Sequence, residues 1–212
     1  MPIVFLHGLG QKPGDWDPVI NRLDKGSRAL CPDLYALERE GEDYPALYGA
    51  LERYCDGLEG PLDLCGLSLG GVLALQYAAE HPERVDSLAL IGARASMPKG
   101  LLVLQNLLFR VMPAENFRKM GLEKQSAIQL CASMAELDLR PVLEQVGCPA
   151  LVLCGERDRA NRRAAEELGR LLPRAELRLI AEGGHEANRD APEALSVLLT
   201  GFYRRCAGAK TV

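Results

Sequence analysis

The run Gly66-Leu67-Ser68-Leu69-Gly70-Gly71 is the part of the sequence best suited to chemistry. It follows the apolar run Leu62–Cys65 directly and opens a helical run that ends at Glu80. A serine on so tight a strand-to-helix turn needs very small neighbours two residues to either side, because the chain folds back on itself there. The same turn pushes the hydroxyl out over the strand ends and aims a helix N-terminus at it. Ser68 is therefore the candidate nucleophile.

A serine hydroxyl is a weak nucleophile and needs a base. The chain has 3 histidines: His7, His81 and His185. His81 stands at the far end of the helix that starts at Ser68, roughly 15 Å or more away at 1.5 Å per residue, which excludes it. His7 ends the first apolar run, beside Gly8-Leu9-Gly10, and serves better to brace that loop. His185, in Glu182-Gly183-Gly184-His185, follows the last apolar run and is the candidate base. The base needs an acid to hold its tautomer. Asp158 in Gly155-Glu156-Arg157-Asp158 is preferred to Glu156, which stands next to the strand end. A residue in that position can also simply cap the helix that follows.

Attack on a carbonyl builds an oxyanion, which two backbone N–H groups can hold. One is the N–H of Leu69, just after the nucleophile. The other is the N–H of Leu9, in a loop where Gly8 and Gly10 let the backbone come close to a substrate. Trp16, the single tryptophan, either lines the pocket or seals the first helix.

These residues work together only if the elements before them end at one edge. Short apolar runs at Ile3–Leu6, Arg28–Cys31, Leu62–Cys65, Ser87–Ile91, Ala150–Cys154 and Leu177–Ile180 read as strands. Helical stretches at Leu69–Glu80, Ala160–Leu172 and Pro192–Cys206 lie between and after them. That alternation implies an α/β architecture with a parallel sheet covered on both faces, whose post-strand loops share one edge. From Arg94 to Val146 the rhythm breaks into helical periods, Leu101–Met112 and Lys124–Leu137, which read as a cap. The division expected is a core of residues 1–93 and 147–212 with a helical lid at 94–146. The lid's apolar inner face would draw on Leu101, Leu104, Leu108, Phe109, Met112, Phe117, Met120 and Met134. Lys99, Arg110, Arg118, Lys119 and Lys124 would lie mostly outside.

The 212 residues suffice for a real core without staples. With 25 Lys plus Arg against 29 Asp plus Glu, the net charge of −4 offers no attraction for a phosphate backbone, so nucleic acid is not an expected partner. Seven cysteines at irregular spacing, with no C-x-x-C pair, fit neither a zinc site nor a disulfide framework. No metal and no cofactor is expected. With no basic leader and no long apolar run, the expectation is a cytoplasmic protein that does not enter a membrane.

The pieces Val4-Phe5-Leu6-His7-Gly8-Leu9-Gly10, Gly66-Leu67-Ser68-Leu69-Gly70-Gly71, Glu80-His81-Pro82-Glu83-Arg84-Val85, Cys154-Gly155-Glu156-Arg157-Asp158 and Gly183-Gly184-His185 together resemble the α/β-hydrolase-fold family, in its single-domain esterase and acyltransferase-like form. The resemblance runs to about residue 206, the cap excepted. It implies a mainly parallel sheet of about six strands with helices on both faces and a short helical cap. The family's first two strands are missing, and Pro32-Asp33-Leu34-Tyr35 replaces the family's Gly-rich turn after the second run. The implied activity is a serine hydrolase acting on esters or thioesters of small to medium apolar acyl groups. Two alternatives stand beside it. One is a carbon–carbon hydrolase or eliminating lyase like the menaquinone-pathway synthase that eliminates pyruvate, for which Arg94, Arg110 and Arg118 would meet a polyanionic substrate. The other is a non-catalytic ligand receptor on the same fold.

Overall fold

The computed structural model describes residues 2–24, 28–97, 109–119 and 121–208. Six strands form one sheet: β1 Pro2–Leu6, β2 Arg28–Leu30, β3 Leu62–Leu67, β4 Val85–Ile91, β5 Ala150–Gly155 and β6 Ala175–Ile180. Their order is β2-β1-β3-β4-β5-β6, and every pairing is parallel. The chain steps from β1 outward to β2, then crosses back to β3 on the other side of β1. The loops after β1 and β3 therefore diverge, and parallel sheets open their crevice at such a reversal.

Alternation along the strands sorts the core into two layers. Val4, Leu6, Leu62, Leu64, Leu88, Leu90, Val152 and Cys154 face one side. There they pack with the helices α2 (Tyr44–Asp56) and α3 (Leu69–Glu80) and with Ala165 and Leu168 of a later helix. Ile3, Phe5, Cys65, Leu67, Ala89, Ile91, Leu151 and Leu153 face the other side, against Trp16, Val19 of the short helix α1 (Asp17–Ile20), Leu195, Leu199 and Phe202. β5 is buried at every position, whereas the edge strand β6 is open at Arg178 and Leu179.

All six expected strands are present, most of them a residue or two longer than the apolar runs alone suggest. The reading from sequence omitted α2. Its signals were present: Asp43 caps it by accepting from Ala46 N at 3.0 Å, and Tyr44, Leu47, Tyr48, Leu51 and Cys55 repeat at helical spacing and are buried.

Between β4 and β5 the described residues include the helices α4 (Ala114–Lys119) and α5 (Lys124–Ser133), with the short 3-10 segments Met134–Glu136 and Arg140–Gln145. This stretch leaves and returns side by side: Leu139 N donates to Ala95 O at 2.7 Å, Met97 N to Leu137 O at 3.3 Å, and Ser96 bridges Asp138. Phe117, Leu122 and Ala127 form a small core of their own, with Phe109 edge-on to Phe117 at 5.2 Å. Leu130, Met134 and Leu139 join the main core. Arg110 and Arg118 are exposed, as expected. Lys124 departs from expectation: it is half-buried, and its Nζ donates to Arg110 O at 2.7 Å and Met112 O at 2.8 Å, closing carbonyls at the end of the preceding helical turn. Leu101, Leu104, Leu108, Met120 and Lys99 lie outside the described residues, as does the side chain of Lys119.

The turn from β3 into α3 is held by backbone contact. A Cβ on Gly70 would stand 2.2 Å from Leu6 O, and one on Gly66 2.3 Å from Gly70 O. No side chain can yield there, because both neighbours are main chain. Gly70→Ala should cost about 3 kcal/mol or more in urea unfolding. Gly147→Ala, where the added Cβ meets open space, should stay within about 0.5 kcal/mol.

Candidate active site

Ser68 sits at φ 52° and ψ −113°, a conformation that L-residues rarely adopt. Its N–H donates to Ile91 O at 2.8 Å, which ties the turn to β4. His185 Nε2 lies 3.1 Å from Ser68 Oγ, and its Nδ1 lies 2.9 Å from Asp158 Oδ2. The loops after β3, β5 and β6 thus bring these three residues into one hydrogen-bonded line. Glu156 is exposed and accepts from Glu182 N at 3.2 Å, bracing the loop rather than facing His185.

Asn161, which the sequence did not single out, completes the surroundings of the acid. Its Nδ2 donates to Asp158 Oδ1 at 2.9 Å and Oδ2 at 2.8 Å, and its backbone N–H to Oδ1 at 3.2 Å. Its own Oδ1 accepts from Arg94 Nε at 2.8 Å, and Arg94 Nη2 donates to Ala160 O at 2.7 Å. Burial works to raise the Asp158 pKa, but hydrogen bonds from His185 and Asn161 outweigh it and hold the carboxyl below its ordinary value.

The loop after β1 is a tight turn closed by Gln11 N donating to Gly8 O at 3.1 Å, with Gly10 at φ 79°. Gly8 N is engaged by Gln11 Oε1 at 3.2 Å, and Gly10 N by the Tyr35 hydroxyl at 2.9 Å. Between them, Leu9 lines the cavity beside Ser68, as does Leu69. His7 is fully buried. Its Nε2 accepts from Leu34 N at 3.1 Å, so the ring proton sits on Nδ1, which donates to Gly8 O at 3.0 Å. Burial pushes the His7 pKa down against the pull of the Gly8 carbonyl and Asp33, and the ring stays neutral. The turn Pro32-Asp33-Leu34-Tyr35 thus supports the β1 loop through Leu34 and Tyr35.

Of the residues that the sequence sets around the oxyanion and substrate site, three do not line the cavity. His7 is sealed beneath the loop. Gly8 gives both its backbone groups to the turn, and a Cβ there would meet Leu67 Cδ2 at 2.7 Å. Trp16 is fully buried on the opposite layer, 5.1 Å from the Phe5 ring, because its indole fills the gap under β1.

The cavity beside Ser68 and His185 holds about 180 Å³ and is walled by Leu9, Leu69, Val72, Met97, Leu130 and Met134, with Arg94 and Asn161 at its polar side. Arg110 and Arg118 do not line it. An Asn161→Leu variant tests the support of the acid. A carboxyl depressed in the folded state adds stability above its unfolded pKa of about 3.9, and that stability is lost as pH falls through the folded value. Without the Asn161 donors the folded pKa rises toward the unfolded value and that contribution shrinks. The variant should therefore be less stable than the parent protein to urea at pH 7, and the gap between the two should narrow as pH falls from 7 to 3.

Comparison with known proteins shows the family. The sequence model of the alpha/beta hydrolase family matches residues 3–196. A pimeloyl-(acyl-carrier protein) methyl ester esterase from Nitrosomonas europaea is 30% identical, with 90% of this chain and 91% of that protein covered. An esterase of the same name from Aromatoleum aromaticum is 31% identical, with 95% and 98% covered. Among solved structures, the enol-lactonase from Burkholderia xenovorans LB400 shares the fold at a TM-score of 0.83 and 22% identity, covering 96% of this chain and 91% of that one. With a family model spanning most of its length and relatives matched almost end to end, the chain belongs to the alpha/beta hydrolase family.

Proposed function

We propose that the protein is a serine hydrolase that cleaves carboxylic esters or thioesters of short to medium apolar acyl groups. The observation that carries this reading is the unbroken line from Ser68 Oγ through His185 to Asp158, opening onto an apolar cavity. Ser68 Oγ attacks the acyl carbon as His185 Nε2 takes its proton, and Asp158 stabilises the imidazolium. The oxyanion is received by the N–H groups of Leu9 and Leu69. His185 then returns the proton to the leaving alcohol or thiol. Water, deprotonated by His185, releases the acid from the acyl-enzyme.

The substrate class is read from the cavity and from the described residues between β4 and β5 that wall it, Met97, Leu130 and Met134 among them. A volume of about 180 Å³ is below the roughly 300–1,000 Å³ of sites for drug-sized ligands. It suits a modest acyl chain better than a long lipid. The eliminating reading needs several cations for a polyanion. Among the described lining residues the one cation is Arg94, with Nε and Nη2 already engaged by Asn161 and Ala160. That favours the ester reading. The relatives named as methyl ester esterases support it in the same direction.

Two measurements check the reading. Ser68→Ala should lower turnover of a chromogenic butyrate ester by on the order of 10³–10⁶, and Asp158→Asn by somewhat less. Near-full activity of Ser68→Ala would remove the nucleophile assignment, and absence of any turnover by the parent protein would favour a receptor. A series of p-nitrophenyl esters from acetate to palmitate should peak at short to medium chains. A maximum at long chains, or an absolute requirement for a dicarboxylate, would overturn the account of the lid.

A further inference from the structure

Two buried primary amides with no part in the chemistry above connect the loop after β1 to the segment after His185. Gln11 and Asn188 are both fully buried and lie far apart in sequence. Gln11 Nε2 donates to Asn188 Oδ1 at 3.0 Å, and Asn188 Nδ2 donates back to Gln11 Oε1 at 3.2 Å. Each amide also holds main chain on one side. Gln11 Oε1 accepts from Gly8 N at 3.2 Å, and Asn188 Nδ2 donates to Asp15 O at 3.2 Å. These outer partners fix which end of each amide is oxygen: Gly8 N–H can only donate, and the Asp15 carbonyl can only accept. At the protein surface a second strap runs alongside, with Arg189 Nε and Nη2 donating to the Asp15 carboxylate at 2.9 and 2.7 Å.

The two ends of this pair matter because of what they adjoin. Gln11 closes the turn in which Leu9 and Gly10 are the central residues, so the direction of the Leu9 N–H is set by where Gln11 is anchored. Asn188 lies three residues after His185, in the one-turn helix Ala187–Asp190. An apolar contact would allow the two loops to slide past each other at little cost. A reciprocal amide pair does not, because any shift leaves buried donors and acceptors unpaired.

We propose that the Gln11–Asn188 amide pair is a positioning device for acyl transfer, locking the loop that bears the Leu9 N–H to the loop that bears His185. The inference rests on the esterase reading above. It means that the oxyanion donor and the general base are held in one frame rather than by two independent loops. Ground-state binding in the apolar cavity does not depend on that frame, whereas the tetrahedral state does.

The test uses Gln11→Met, Asn188→Leu and the double variant. The readouts are kcat and KM for p-nitrophenyl butyrate, and the inhibition constant of an alkyl trifluoromethyl ketone whose adduct with Ser68 carries an oxyanion. Melting temperatures identify a range in which each variant is folded. Each single variant should lose roughly 10–100-fold in kcat, since misplacement by about 1 Å can cost 10²-fold, with KM within about twofold. The ketone should weaken in parallel with kcat, and the double variant should be no worse than the poorer single one, because the pair acts as a unit. If the apolar variants do not fold, Gln11→Asn keeps the amide but shortens its reach, and the same loss in kcat is expected. Unchanged kcat and ketone affinity, a rise in KM at constant kcat, or losses that add in the double variant would overturn the proposal. A parent protein with neither turnover nor a Ser68 adduct would overturn the esterase reading and this inference together. A parent that turns over while the variants match it overturns this inference alone.

Discussion

Everything at the site depends on one close approach of backbone to backbone, where the start of α3 presses against the end of β1. The Gly70 Cα lies so near Leu6 O that not even a methyl group fits. That contact forces the chain after β3 to reverse within a residue or two, and Ser68 takes up the reversal at φ 52°. The energy for such a conformation comes from the surroundings: the Ser68 N–H bond to β4, the buried strands on either side, and a helix whose first two turns are almost wholly buried. The hydroxyl's position is a property of the packed sheet rather than of a flexible loop.

Around that fixed point, the remaining groups are held by polar contacts. Arg94, Asn161 and Asp158 form a chain of donors and acceptors that ends on the imidazole. His7, Leu34 and Tyr35 support the β1 loop from below, with His7 acting through both ring nitrogens while carrying no charge. Burying so many polar groups is tolerable because nearly every one is paired. The result is a rigid polar rim next to an apolar cavity, which suits a reaction that creates charge on a substrate that begins with none.

The six strands of the sheet and the meeting of Ser68, Asp158 and His185 at one of its edges were legible in the sequence because each depends on local signals. An apolar run ends, a glycine follows, and a reactive side chain stands next to it. The residues that were not legible act across long separations through groups with no distinctive signature. Asn161 looks like an ordinary residue at a helix start until its amide is seen between Asp158 and Arg94. Trp16 reads as pocket or as packing, and the layer it falls in decides for packing. The departure at Pro32–Tyr35 was visible as a difference, but its work became clear only from Leu34 N and the Tyr35 hydroxyl meeting the β1 loop. Lys124 was assigned to solvent by charge alone, without the carbonyls that draw it inward.

The antiparallel clasp at residues 95–97 and 137–139 has a consequence for how such a protein can change over generations. Because the chain departs and re-enters at neighbouring points, the intervening stretch is closed at its base whatever its length. Lengthening a loop whose ends are already pinned costs only about 0.6 kcal/mol for each doubling. The hinge of the clasp is main chain, so it makes few demands on side-chain identity. Replacement or growth of the stretch would remodel the wall of the cavity while leaving the turn at Ser68 and the frame around His185 untouched. Selection can therefore explore new substrates here at small risk to folding, with the reactive groups inherited intact.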